Sequence, residues 1–158
     1  MGVKGSAPRR RHAASGHRAR SLARRLTVQA LYQIQINPRS WQDTHKQYAA
    51  DPEAERVDRG YFRALMMAIV PHREGLDAVL ARLSEIPPNA LDPIEHAVLW
   101  LGVHELQSAA DLPYRVVLAE AVQLAKQFGA TDGHKFVNAV LDRAAQELRP
   151  HEYGQTLE

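Results

Sequence analysis

Residues 111–143 read D-L-P-Y-R-V-V-L-A-E-A-V-Q-L-A-K-Q-F-G-A-T-D-G-H-K-F-V-N-A-V-L-D-R. This stretch encodes two helices joined by a tight turn. Asp111-Leu112-Pro113 opens the first, since a proline in the first turn lacks only an N–H that would have no helical partner. Gly129 can close that helix in a left-handed conformation, and Thr131 or Asp132 can cap the next. In the second helix Val137, Val140, Leu141, Ala144 and Leu148 recur at helical spacing and form a core stripe. Phe136 lies roughly 100° from the centre of that stripe, so its ring borders the buried face. Beside it is a helix N-terminus, whose N–H groups favour anions. Unpaired RNA bases are read by stacking on such rings. Phe136 also fits as ordinary core, Asp132 as a helix cap and Lys135 as a solvated charge.

Working outward, the helical punctuation continues. Asp92-Pro93-Ile94-Glu95 supplies an N-cap, a first-position proline and an acid three residues after the cap. Pro87-Pro88 ends the helix before it, and Pro71 separates two more. Val57, Tyr61, Ala64, Leu65 and Ala68 form one apolar stripe, and Leu76, Val79, Leu80 and Leu83 another. The run from Ala97 to Val103 is apolar almost all round, which predicts a buried central helix. No segment shows period-two alternation. The expected class is all-α, with about seven helices and no sheet.

Charge is unevenly spread. Lys4, Arg9, Arg10, Arg11, Arg18, Arg20, Arg24, Arg25 and Arg39 precede the first acid, Asp43. The rest of the chain carries 11 basic against 18 acidic residues, a balance of −7. A basic arm on an acidic body is the usual electrostatic footprint of a nucleic-acid partner. Residues 1–16 have almost no large apolar groups and are expected to form a disordered arm. A helical domain is expected over 17–150, with subdomains of about 17–86 and 89–150 meeting at Pro87-Pro88, and a flexible tail over 151–158.

The helix beginning near Arg18 carries the arm's charge into the fold. Ala19, Leu22, Ala23, Leu26, Ala30 and Ile34 make its apolar face. Arg18, Arg25 and Tyr32 are seven apart and line up on one flank; Arg20 and Arg24 project from the other. Arginines and a tyrosine bordering a buried face can grip phosphates while stacking a base. The same residues fit a solvated face with Tyr32 half-buried in packing.

Other chemistries find no support. The 158 residues contain no cysteine, which excludes disulfides and thiolate metal sites. The eight histidines include no H-E-x-x-H pair, and His96 and His104 point in different directions. No Gly-rich phosphate loop or nucleophile elbow occurs. No catalytic group, metal or cofactor is expected. No apolar run is long enough to span a membrane, nothing resembles a secretory signal, and a cytoplasmic location is expected.

Three segments together resemble the NusB family of bacterial antitermination factors. They are A-R-R-L-T-V-Q-A-L-Y-Q (23–33), L-D-P-I-E-H-A-V-L-W-L-G-V-H-E-L (91–106) and the third stretch L-P-Y-R-V-V-L-A-E-A-V-Q-L-A-K-Q-F-G with K-F-V-N-A-V-L-D (112–142). The resemblance spans about residues 18–150 and implies two perpendicular helical subdomains. It also implies binding of the boxA element in ribosomal RNA operon leaders, jointly with the small-subunit ribosomal protein NusE, in an antitermination complex on RNA polymerase. Carried over by position, the family's arginine-rich motif falls on Arg20 and Arg24, with Arg18 and Arg25 beside it, and its tyrosine on Tyr32. The acid-x-His-Lys-Phe turn falls on Asp132, Lys135 and Phe136. Ser21 and Leu22 stand where further arginines are usual, and Gly133 where a serine is common. The same helical domain precedes the catalytic domain of an rRNA cytosine methyltransferase, and with the chain ending at Glu158 the stand-alone factor is expected. The alternatives are a protein-interaction scaffold or a ribosome-assembly factor, and monomer and homodimer both stay open.

Overall fold

The structure, a computed structural model, describes residues 7–38 and 40–155. Arg39, the first six residues of the expected arm and the last three of the expected tail lie outside the described residues. Among the described residues eight α-helices follow in order: α1 (Ala7–Ile36), α2 (Trp41–Ala49), α3 (Arg59–Ile69), α4 (Arg73–Leu83), α5 (Pro93–Ser108), α6 (Tyr114–Phe128), α7 (Gly133–Leu148) and α8 (Pro150–Gln155). Short 3-10 segments at Pro52–Arg56, Val70–His72 and Pro88–Ala90 connect α2 to α3, α3 to α4 and α4 to α5. Among the described residues there is no strand, so the all-α expectation holds.

Helix α5 is the hub. Residues 96–103, Glu105 and Leu106 are buried, and the helix packs on α1, α3, α4, α6 and α7. A helix apolar all round has to be enclosed by others, which is what its sequence predicts. Its start is capped as expected: the Ile94 and Glu95 N–H groups donate to Asp92 Oδ2 at 3.1 and 3.2 Å. Its end is satisfied by a residue from elsewhere. The Arg149 guanidinium donates to the carbonyls of Glu105, Leu106, Ala109 and Leu112 at 2.8–3.2 Å, covering acceptors that a helix C-terminus leaves bare.

One apolar cluster extends through both sides of Pro87, because α1 crosses to α5 and α4 packs on α5 and α7. The stripes on α4 and α7 are buried largely as read. On α3 the buried face is Phe62, Leu65, Met66 and Ile69, while Ala64 is exposed. The larger residues took the core side and rotated the stripe away from the small alanines.

Helix α1 begins at Ala7, within the stretch expected as the arm, and α8 runs to Gln155 within the expected tail, where the Tyr153 hydroxyl donates to Asp142 Oδ2 at 3.1 Å. Two local expectations are corrected. Asp111 does not cap α6; the Tyr114 N–H instead donates to Glu152 of α8 at 2.8 Å. Gly129 ends α6 with an extended backbone (φ −94°, ψ −177°) rather than a left-handed one. What favours glycine there is space, because a Cβ would stand 2.7 Å from the Ala125 carbonyl oxygen.

A candidate nucleic-acid interface on the flank of α1

The apolar face of α1 is seated on α3 and α5, and that seating decides which of its polar residues reach solvent. Arg18 is exposed, and Tyr32 keeps 37% of its surface open. Arg25 is half-buried, with its guanidinium 5.8 Å above the ring of Phe128 at the end of α6. Tyr32 and Phe128 share a groove with Leu26, Gln29, Tyr48 and Ile94. Three aromatic rings, Tyr32, Tyr48 and Phe128, thus line one open groove together with Asp51, and Arg25 stands over the Phe128 ring at its margin, an arrangement suited to stacking a base with a guanidinium at hand for its phosphate. Phe128 escaped the sequence reading although it stands four residues before Asp132. Its helical position said only that it ended α6, and Arg25 reaches it from a hundred residues away.

Arg20 and Arg24, expected to project together, both lie 5.2 Å from the Tyr61 ring centre but differ in exposure. Arg20 is half-exposed, 3.7 Å from Asp58 Oδ2 and 5.2 Å from the centre of the Tyr61 ring. Arg24 is 2% exposed. Its Nε donates to both carboxylate oxygens of Glu105, at 3.0 and 2.9 Å, and the Tyr61 hydroxyl also donates to Glu105. The expectation that Arg24 faces solvent is therefore overturned. Four residues separate the two arginines, and the 40° offset of four helical steps is enough to put one under α3 and α5 and leave the other on the rim. Burial opposes the Arg24 charge, but Glu105, Tyr61 and Glu120 outweigh it and hold the guanidinium firmly protonated. Burial, then the charge of Glu105, pushes the Tyr61 phenol far above its ordinary range, so it stays a neutral donor. Ser21, where an arginine is usual in the resemblance, donates its hydroxyl to Glu120 Oε1 at 2.9 Å and extends this network to α6.

The α7 turn is assembled differently from expectation. Asp132 makes no capping bond to α7 and instead pairs with Lys135 at 3.4 Å, both side chains being exposed. The N-terminus of α7 is not free: a Cβ on the buried Gly133 would run into the Glu95 carboxylate. Burial and the neighbouring Asp92 raise the Glu95 pKa, and a carboxylate near a helix N-terminus is favoured by the helix dipole. Glycine at 133 makes the room for Glu95. Phe136 is half-buried, packed against the core with one side in solvent. Among the described residues no group of three or more His, Asp or Glu is arranged to hold a metal, and no helix is long and apolar enough to cross a membrane.

Known proteins agree with this architecture. The sequence profile of the NusB family matches residues 21–146. The transcription antitermination protein NusB of Hahella chejuensis is 43% identical over 133 residues, covering 84% of this chain and 89% of the relative. That of Idiomarina loihiensis is 42% identical over 132 residues, covering 84% and 95%. Among solved structures, NusB from T. maritima superposes with a TM-score of 0.69 at 26% identity, covering 85% of this chain and 96% of that one. A NusB crystallised with NusE and double-stranded RNA superposes at 0.73 and 24% identity, covering 82% and 98%, and bears on the fold alone. With the profile spanning most of the sequence and relatives above 40% identical along nearly their whole length, the chain belongs to the NusB family.

Proposed function

We propose that this chain is a transcription antitermination factor that binds single-stranded boxA RNA of ribosomal RNA operon leaders, jointly with NusE. It acts in the cytoplasm, within an antitermination complex on RNA polymerase. Its relatives are named as transcription antitermination proteins, and a structural neighbour was crystallised with NusE and double-stranded RNA. The observation that carries the RNA reading is the groove lined by Phe128 and the exposed Tyr32, with Arg25 over the Phe128 ring at its margin. Arg18 and Arg20 add charge along the same helix, and Asp132, Lys135 and Phe136 at the start of α7 are a second set of candidate contacts. Arg24 enters this proposal as the buried anchor of α1 rather than as a contact. The acidic body, with its balance of −7 after residue 42, suits a basic ribosomal protein.

Titrating a labelled boxA RNA with the protein over a salt series, with and without NusE, tests the reading. Neutralising about four phosphates makes log K fall with log salt at a slope of roughly −3. NusE is expected to tighten the complex, and a duplex of the same sequence to bind more weakly. A slope near zero, or indifference to strandedness, overturns RNA recognition. Capture of NusE without any RNA binding would favour the protein scaffold. Sedimentation of the same samples separates monomer from homodimer.

A further inference from the structure

On the N-terminal side of the aromatic groove along α1, Arg18, Arg25 and Arg56 line one cavity with an apolar floor of Leu22, Leu26 and Val57. Arg18 and Arg56 are exposed and Arg25 is half-buried. Arg56 ends the 3-10 segment Pro52–Arg56, and the Asp58 N–H donating to the Ala19 carbonyl at 3.1 Å ties the chain after it to α1. Among the described residues none of these three guanidinium groups forms an ion pair within 4.0 Å, whereas Arg20, Arg24, Arg82 and Arg149 each do. Glu55 stands on the adjoining rim with Arg18 and Arg56. Three cations around an apolar floor repel one another until an anion enters between them. Guanidinium forks match phosphate oxygens, and the floor suits the apolar face of a ribose.

We infer that this cavity seats a phosphodiester of the bound RNA, with Arg56 as a further phosphate ligand that extends the RNA path past Arg25. The inference rests on the RNA-binding reading. Continuity favours RNA over an acidic peptide: Leu26 lines both this cavity and the groove of Tyr32 and Phe128, and Arg25 stands between them. Arg56 was invisible in the sequence, where it was one exposed charge among acids.

The test compares wild type, Arg56→Ala, Arg56→Lys and Arg115→Ala in salt titrations of single-stranded boxA RNA. Arg115 is exposed on α6 beside Tyr114 and controls for loss of one positive charge. Losing one phosphate contact should flatten the slope of log K against log salt by about 0.7 and weaken binding about fivefold at roughly 0.1 M salt. Arg56→Lys should recover the slope, Arg115→Ala should leave it unchanged, and all variants should melt like wild type. Wild-type slope and affinity in Arg56→Ala, or an equal loss in Arg115→Ala, overturn the inference while leaving RNA binding intact. Failure of the wild type to bind overturns both, and the wild-type arm tells the two apart.

Discussion

Arg24 and Glu105 face each other across 81 residues of sequence, Nε 3.0 and 2.9 Å from the two carboxylate oxygens, with each side chain only 2% exposed. The pair ties α1 to the central helix, one helical turn from the half-exposed Arg20. A buried ion pair contributes little net stability compared with apolar replacements, but removing one partner strands the other charge in the core.

Arg24→Ala should therefore destabilise the fold by about 3–5 kcal/mol. Arg20→Ala, at a half-exposed site, should change stability by less than about 0.5 kcal/mol while weakening RNA binding and flattening its salt slope. Denaturant melts and RNA titrations on the two single variants check this. Equal stability of both variants would mean that Arg24 is not the anchor described.

Glu152 gives α8 a pH-dependent hold on α6. Burial works against its ionisation, but the Tyr114 N–H and the Arg149 guanidinium outweigh it and hold the carboxyl below its ordinary range. With the folded pKa below the unfolded one, the native state favours the ionised form. The stabilisation is complete above the unfolded value of about 4.3 and disappears as pH falls through the folded one. Glu152→Gln should lower the Tm at about pH 7, and the gap from wild type should close as pH falls through the lowered folded pKa. A gap that persists in acid would point to packing rather than charge.

Gly102 records how tightly the hub helix is enclosed. A Cβ there would stand 2.6 Å from a methyl of Leu141, so α5 and α7 approach at a position where any side chain intrudes. Gly102→Ala should cost about 1–3 kcal/mol through overpacking, despite the better helix propensity of alanine. Pairing it with Leu141→Ala should recover part of the loss, because the second change opens the space that the first fills. A thermal shift series on the single and double variants measures this, and strict additivity would contradict the contact.

The elements legible in the sequence were those fixed by local chemistry. Asp92-Pro93 starts α5, the apolar run from Ala97 encloses it, and the stripes on α4 and α7 follow the helical period. What escaped were partnerships made across the chain. Glu152 accepts the Tyr114 N–H at the start of α6, Glu95 occupies the α7 terminus, and Glu105 draws Arg24 inward. Periodicity places a residue on a face but does not say which neighbour covers its margin. On α1 that margin decides which arginine meets solvent, and so the site was less legible than the fold.

Phe136 and Phe128 divide the aromatic contribution in a way that mutation can resolve. Phe136 is half-buried against the core, so Phe136→Ala should lose stability, though less than the about 3–5 kcal/mol of a fully buried phenylalanine. A stacked base would add about 1–3 kcal/mol of lost RNA affinity. Phe128 lines the groove with Tyr32 and carries the Arg25 guanidinium, so Phe128→Ala removes a stacking platform and releases that arginine together. Its effect on RNA affinity should equal or exceed that of Tyr32→Ala, and the double variant should lose less than the sum, since both rings serve one groove. Titrations of the three variants against one boxA RNA settle the order. Unchanged affinity in Phe128→Ala, with the fold intact by circular dichroism, would move the RNA path away from this groove and toward the α7 turn.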